Sequence, residues 1–175
     1  MINRLFSFLA FSIFAITCCA QTAVNPKIEK IYLDEKDTTK NCYTIVYPGN
    51  KSLTGYLMLV PGLGETAENV LQQTDLPQKL AQKGIMTIIP TFQDGVLSFG
   101  VDSLSQHAFN TILKDVHSKH NLVDQKLYVG GFSIGGSCAL KYAENASITP
   151  TAVFAIDPPL DFERFYYSAK RDIRL

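Results

Sequence analysis

Along this chain, short runs of apolar residues alternate with stretches in which apolar positions recur every three or four residues. Residues 28–33 and 42–47 are rich in aromatic and β-branched side chains and flank the polar stretch 34–41, which predicts two strands of an opening hairpin. Residues 53–60 form a further strand, almost continuously apolar from Tyr56 onward as in a strand covered on both faces, and Pro61-Gly62-Leu63-Gly64 ends it. Residues 66–83 carry helix formers with Val70, Leu71, Leu76 and Leu80 as apolar positions, an interruption around Pro77, and Gly84 as a stop before the apolar run 85–89. Over 102–120, Leu104, Ala108, Ile112 and Val116 fall at four-residue spacing and Phe109 and Leu113 widen the stripe, which predicts a long helix with one buried face. A short strand at 126–129, a helix at 134–144, a strand at 151–156 ended by Asp157-Pro158-Pro159, and a helical segment at 160–171 complete the pattern.

Strands that alternate with helices, and that are mostly apolar on both faces, imply an α/β fold: a mostly parallel sheet with helices on both sides and right-handed crossovers. The 175 residues suffice for one domain, and 46% hydrophobic against 18% charged residues argues for a folded globule. Sixteen basic residues balance sixteen acidic ones, and no segment gathers Lys or Arg, so nucleic acid is not expected as a partner.

Residues 1–20 break from the rest. Arg4 gives a positive start, residues 5–17 are almost wholly apolar, and Cys18-Cys19-Ala20 supplies small residues before Gln21. This is the layout of a secretory signal peptide cleaved after Ala20, leaving a mature domain at 21–175. The apolar stretch is shorter than the roughly twenty residues a spanning helix needs and includes Ser7 and Ser12, so no transmembrane span is expected in the mature chain. Acylation at Cys18 or Cys19 is the alternative, and Ile16 and Thr17 upstream fit it poorly. Of the four cysteines, Cys42 and Cys138 remain after cleavage and give neither a disulfide framework nor a metal-ligand spacing. They are expected to be small buried residues.

The chemistry-bearing segment is Gly130-Gly131-Phe132-Ser133-Ile134-Gly135-Gly136, placed between a predicted strand and a predicted helix. A serine on so tight a strand-to-helix turn needs residues without side chains two places before and after it, and Gly131 and Gly135 meet that need. Helix entry right after Ser133 directs backbone N–H groups and the positive end of the dipole at the serine oxygen, making the N–H of Ile134 a candidate oxyanion donor. A phosphate-cradling loop is the competing reading. It lacks support, because no Lys follows the glycines and the Gly-x-Gly-x-x-Gly spacing is absent.

Residues 127–136, Leu-Tyr-Val-Gly-Gly-Phe-Ser-Ile-Gly-Gly, resemble the nucleophile region of α/β-hydrolase esterases and related secreted hydrolases, and the similarity extends over most of residues 40–160. It includes Leu57-Met58-Leu59-Val60-Pro61-Gly62-Leu63-Gly64, which matches the family's strand and loop that supply a second oxyanion donor, here the N–H of Leu63. Pro61 stands where that family often has a histidine; a simple Pro-Gly turn after a strand is the bland alternative.

The resemblance implies Ser133 as nucleophile, an acid and then a histidine later in the chain. No histidine follows Ser133. His107, His117 and His120 precede it on the long helix, where they are expected to face solvent. Family members usually place the acid one strand later and occasionally at the position of Asp157; the stronger reading of that residue is a turn before Pro158-Pro159 and a cap on the following helix, a role Asp161 could also fill. The family's core continues with two more strands, so the chain is expected to be an N-terminal portion with its base encoded beyond Leu175. The implied activity is hydrolysis of an ester or related acyl bond on a small-molecule or acyl-bearing substrate, with no cofactor and no metal. A non-catalytic exported binding protein that keeps the fold and lacks the base is the rival.

Overall fold

A computed structural model describes residues 26–37, 41–49, 51–92 and 100–172. The leader at 1–20 and the two cysteines in it lie outside the described residues.

The chain runs β1 (Lys27–Tyr32), β2 (Cys42–Tyr47), β3 (Gly55–Val60), α1 (Ala67–Gln73), α2 (Leu76–Ala81), β4 (Ile85–Thr91), α3 (Ser103–His120), β5 (Lys126–Phe132), α4 (Ile134–Glu144), β6 (Ala152–Ile156) and α5 (Phe162–Asp172). The six strands form one sheet in the order β1-β2-β4-β3-β5-β6. β1 and β2 make the expected antiparallel hairpin, β2 pairs antiparallel with β4, and β4-β3-β5-β6 are mutually parallel. Only β2 therefore runs against the rest.

Period-two alternation sends the residues of β3 to two cores. Tyr56, Met58 and Val60 join Met86, Ile88, Leu127 and Val129 beneath α3 and α4. Leu57 and Leu59 join Ile89, Ala67 and Val70 beneath α1 and α2. Every residue of β3 is buried, which is why its sequence is nearly continuous in apolar side chains. In the larger core Phe109 of α3 stacks on Tyr142 of α4, ring centroids 4.3 Å apart, a contact worth about 0.5–1.5 kcal/mol beyond the area it buries.

Three details sharpen or correct the expected elements. The helical stretch 66–83 divides at Thr74–Asp75, just before Pro77, which falls within the first turn of α2; there a missing N–H costs nothing because the helix would not use it. On α3 the buried face is Ser105, Ala108, Phe109, Ile112, Leu113 and Val116, whereas Leu104 is 69% exposed. At about 100° per residue a strict four-residue ridge drifts, so Leu104 lies about 120° round the helix from Val116. Finally, β5 continues through Gly130 and Gly131 to Phe132, with both glycines paired to β6.

The strand order positions the site. After β3 the chain moves to β4 by way of α1 and α2 on one face; after β4 it returns through α3 on the other face to β5, on the far side of β3. Connections leaving β3 and β5 toward opposite faces open a crevice at their carboxyl ends, where open α/β sheets bind ligands. The loop after Val60 and the turn at Ser133 meet there.

Candidate active site

Ser133 is the single residue between β5 and α4, with φ 49° and ψ −123°. A side chain other than glycine's rarely adopts that backbone, which costs on the order of 1–3 kcal/mol and persists only where surroundings over-determine it. They do so here. The Ser133 N–H donates to the carbonyl of Ile156 at 2.8 Å, and the Ser133 carbonyl accepts from Gly136 at 2.9 Å and Ser137 at 3.2 Å. The hydroxyl does not cap α4, and the residue is exposed.

The flanking glycines are required by backbone approach. A Cβ on Gly131 would lie 2.3 Å from the carbonyl carbon of Gly135 and 2.7 Å from the Val60 carbonyl oxygen. One on Gly135 would lie 2.2 Å from the Val60 oxygen and 2.3 Å from that of Pro61. The first turn of α4 thus sits directly on the chain leaving β3.

This contact brings Ile134 and Leu63 to one cavity of about 380 Å³, also lined by Pro61, Phe92 and Cys138. Ser133 itself does not line it; its neighbours Ile134 and Gly135 do. Ile134 is the first residue of α4 and Leu63 is in the turn after β3. The first N–H groups of a helix have no acceptor within it, so the Ile134 amide is available to a negatively charged atom.

The β3–α1 turn is braced by a residue that sequence reading passed over. The Glu65 carboxylate accepts from the Gly62 N–H at 3.0 Å and, through its other oxygen, from Gln73 Nε2 at 3.0 Å. The signal for it was a carboxylate three residues after a glycine in a turn, the separation at which a side chain reaches back to the backbone.

Asp157 follows β6 with a φ of 51° and is exposed. It stands one residue beyond the carbonyl that holds Ser133, at the same edge of the sheet. The loop after it is fixed to α4, since the Ser137 hydroxyl donates to the Pro159 carbonyl at 2.7 Å. Asp161, not Asp157, caps α5: its carboxylate accepts from the Arg164 N–H at 2.9 Å.

The three histidines stay with α3. His107 is exposed, but His117 and His120 are half-buried against the sheet, contrary to the solvent-facing expectation. His117 Nε2 pairs with the Tyr56 hydroxyl at 2.5 Å and His120 Nε2 lies 3.4 Å from that of Tyr47. Tyr56 is the second residue of β3, at the opposite end from Val60, so His117 sits at the amino-terminal end of that strand, away from Ser133. Burial holds both imidazoles below their ordinary value.

Cys42 and Cys138 are free and buried. Cys138 reaches the cavity, yet burial above all pushes its thiol up to about 12, with Asp102 acting in the same direction and Gln106 against it. It stays a neutral thiol, which is a poor nucleophile. Among the described residues, no group of three or more His, Cys, Asp or Glu side chains is placed to hold a metal ion, and no helix is long and apolar enough to cross a membrane.

No protein-family profile and no curated protein matches the chain. Solved structures do. The fluorophosphonate-binding serine hydrolase F of Staphylococcus aureus aligns over 80% of this chain and 60% of its own at 13% identity, TM-score 0.62. The S-formylglutathione hydrolase FrmB of the same organism aligns over 82% of this chain and 64% of its own at 14% identity, TM-score 0.62. A soluble variant of monoglyceride lipase from Saccharomyces cerevisiae aligns over 85% of this chain and 50% of its own at 18% identity, TM-score 0.59. The chain thus spans between half and two thirds of the length of these structures. At such identities the likeness is one of fold, and with the strand order, the crossovers and the turn at Ser133 it establishes that this chain has the α/β-hydrolase fold.

Proposed function

We propose that these residues are the nucleophile-bearing part of an exported serine hydrolase that cleaves an ester or related acyl bond. The observation that carries the reading is Ser133 held at φ 49° and ψ −123° between β5 and α4, with Ile134 and Leu63 lining the adjoining cavity.

In this mechanism Ser133 Oγ attacks the acyl carbon, its proton passes to a base, and the carbonyl oxygen becomes an oxyanion. The N–H groups of Ile134 and Leu63 stabilise that charge, aided by the amino end of α4. Collapse expels the alcohol, which takes the proton from the base; water then attacks the acyl-enzyme and releases the acid. Since no histidine follows Ser133, the proposal assigns the base to a residue outside this sequence, with Asp157 as the candidate acid that would orient it. Export rests on the leader-like residues 1–20. The names of two of the similar structures, S-formylglutathione hydrolase and monoglyceride lipase, favour small acyl substrates.

A fluorophosphonate probe tests the nucleophile, since phosphonylation needs only an activated serine and an oxyanion hole. The expected result is a Ser133 adduct on the full chain, located by peptide mass spectrometry, faster with added imidazole as a substitute base and absent in Ser133→Ala. Absence of any adduct at Ser133 with imidazole present would overturn the hydrolase reading in favour of a non-catalytic binding protein.

A further inference from the structure

The geometry points to Glu65 as the positioning residue of the oxyanion loop, an inference that rests on the serine-hydrolase reading above. The loop leaves β3 at Pro61 and enters α1 through the cap residue Thr66. Its turn is closed by the Glu65 N–H, which donates to the Gly62 carbonyl at 3.2 Å. Gly64, third in that turn, has a φ of 73°, a conformation that glycine supplies without strain.

The Glu65 side chain closes the same turn a second time, from the other direction. One carboxylate oxygen accepts from the Gly62 N–H and the other from Gln73, the last residue of α1. Both oxygens are thereby committed within the protein, one to the loop's backbone and one to the helix. Such a carboxylate ties the loop to α1 instead of presenting itself to substrate, and a charge-assisted bond to a backbone N–H is about twice as strong as a neutral one.

The tie also decides which amides are left over. Pro61 has no N–H, the Gly62 N–H is taken by Glu65, and that of Thr66 by the Asn69 side chain. Among the described residues the amides of Leu63 and Gly64 remain, and Leu63 directly follows the pinned one. An oxyanion hole works because its donors are aimed before the charge appears. Glu65 does that aiming from both sides of Gly62: its N–H holds the carbonyl of the Gly62–Leu63 peptide that carries the Leu63 N–H, and its carboxylate, which does not compete for the developing charge as a donor would, holds the N–H of the Pro61–Gly62 peptide before it. The face of the loop opposite the turn is fixed by α4, since Gly135 abuts the carbonyls of Val60 and Pro61.

Glu65→Ala and Glu65→Gln separate this role from general loop stability. Glutamine retains an acceptor for Gly62, and Gln73 can turn its amide to match. The rate of Ser133 phosphonylation, with imidazole and well below each variant's melting temperature, is expected to fall roughly tenfold or more in Glu65→Ala, less than the 10²–10³ of deleting a donor outright, and to recover within a few-fold of wild type in Glu65→Gln. A second readout needs no activity. The Gly62 and Leu63 amide proton resonances should stay near their wild-type positions in Glu65→Gln and move together in Glu65→Ala. An Ala variant that melts earlier but labels at the wild-type rate would overturn the inference, as would Gly62 and Leu63 amides unmoved by Glu65→Ala. Absence of labelling in wild type, with both amides still moved by Glu65→Ala, would instead sink the hydrolase reading and leave Glu65 a loop anchor only.

Discussion

The Ser133 N–H and the Ile156 carbonyl are joined at 2.8 Å across the carboxyl end of the sheet, one step past the last strand pairing, Phe132 with Ile156. The ladder thus reaches into the turn and holds Ser133 where the strand has stopped and the helix has not begun. A residue kept in unfavourable backbone space by a neighbouring strand stores strain that glycine would not feel.

Ser133→Gly should therefore be more stable than Ser133→Ala. Relief of on the order of 1–3 kcal/mol of strain, less about 0.5–1 kcal/mol for glycine's greater chain entropy, leaves a difference of roughly 1 kcal/mol in favour of glycine. Urea denaturation of the two variants measures it, and equal midpoints would mean that the turn at Ser133 carries no strain.

The two glycines after Ile134 offer a sharper contrast. At Gly135 an added methyl meets backbone oxygens at 2.2 and 2.3 Å, whereas at Gly136 its nearest neighbours are the Ala155 Cβ at 3.1 Å, the Gly131 carbonyl at 3.2 Å and the Pro158 Cβ at 3.2 Å. Backbone cannot yield as a side chain can. Gly135→Ala should cost about 3 kcal/mol or more from overpacking, while Gly136→Ala should be within about 1 kcal/mol of neutral, because alanine's helix propensity offsets the tighter contact. Thermal denaturation of both variants distinguishes the sites; a similar loss at each would contradict the packing described for β3 and α4.

What could be read from residues alone was what depends on short spacing. Apolar runs and stripes located the helices and strands, and Gly131, Ser133 and Gly135 located the turn, because each signal repeats within a few residues. The same locality misled at Gly130 and Gly131, which read as a break but are strand: the Phe154 ring and the Val60 carbonyl come so close that only glycine fits. The tyrosine partners of His117 and His120 lie 61 and 73 residues away, and nothing local to α3 announces them. Glu65 was legible in principle, being three residues from Gly62, but a charged residue in a turn usually faces water.

Three strand tyrosines press their hydroxyls against α3, and two of them should resist alkali. Burial foremost raises Tyr43 well above the tyrosine range, reinforced by its hydrogen bond to Asp115, and pushes Tyr56 up to about 12. The unfolded chain releases these protons near 10, so their contribution to stability is complete below that pH and is lost as pH rises toward the folded values. A spectrophotometric titration of the native protein should show at least two tyrosines ionising late, together with unfolding. Tyr43→Phe should remove one of them, and a wild-type curve in which all tyrosines titrate together near 10 would refute the burial.

On the acid side the same seam works in reverse. His117 and His120 are both held below the ordinary 6.5 by burial, which at His120 is assisted by Lys119 and opposed by Glu29 and Asp115. Between the depressed folded value and 6.5 the unfolded chain binds more protons than the native one. Stability is therefore fully present above 6.5 and falls as pH drops through that value toward the folded pKa. The urea midpoint should accordingly hold from about pH 8 to the unfolded histidine value and decline below it toward about pH 5, where imidazoles titrate, and His117→Gln should decline less over the same interval. The variant isolates the histidine from the carboxylates, whose contribution it leaves in place. Parallel declines in the two proteins would mean that His117 is as well hydrated in the fold as out of it, and that its contact with Tyr56 excludes no water.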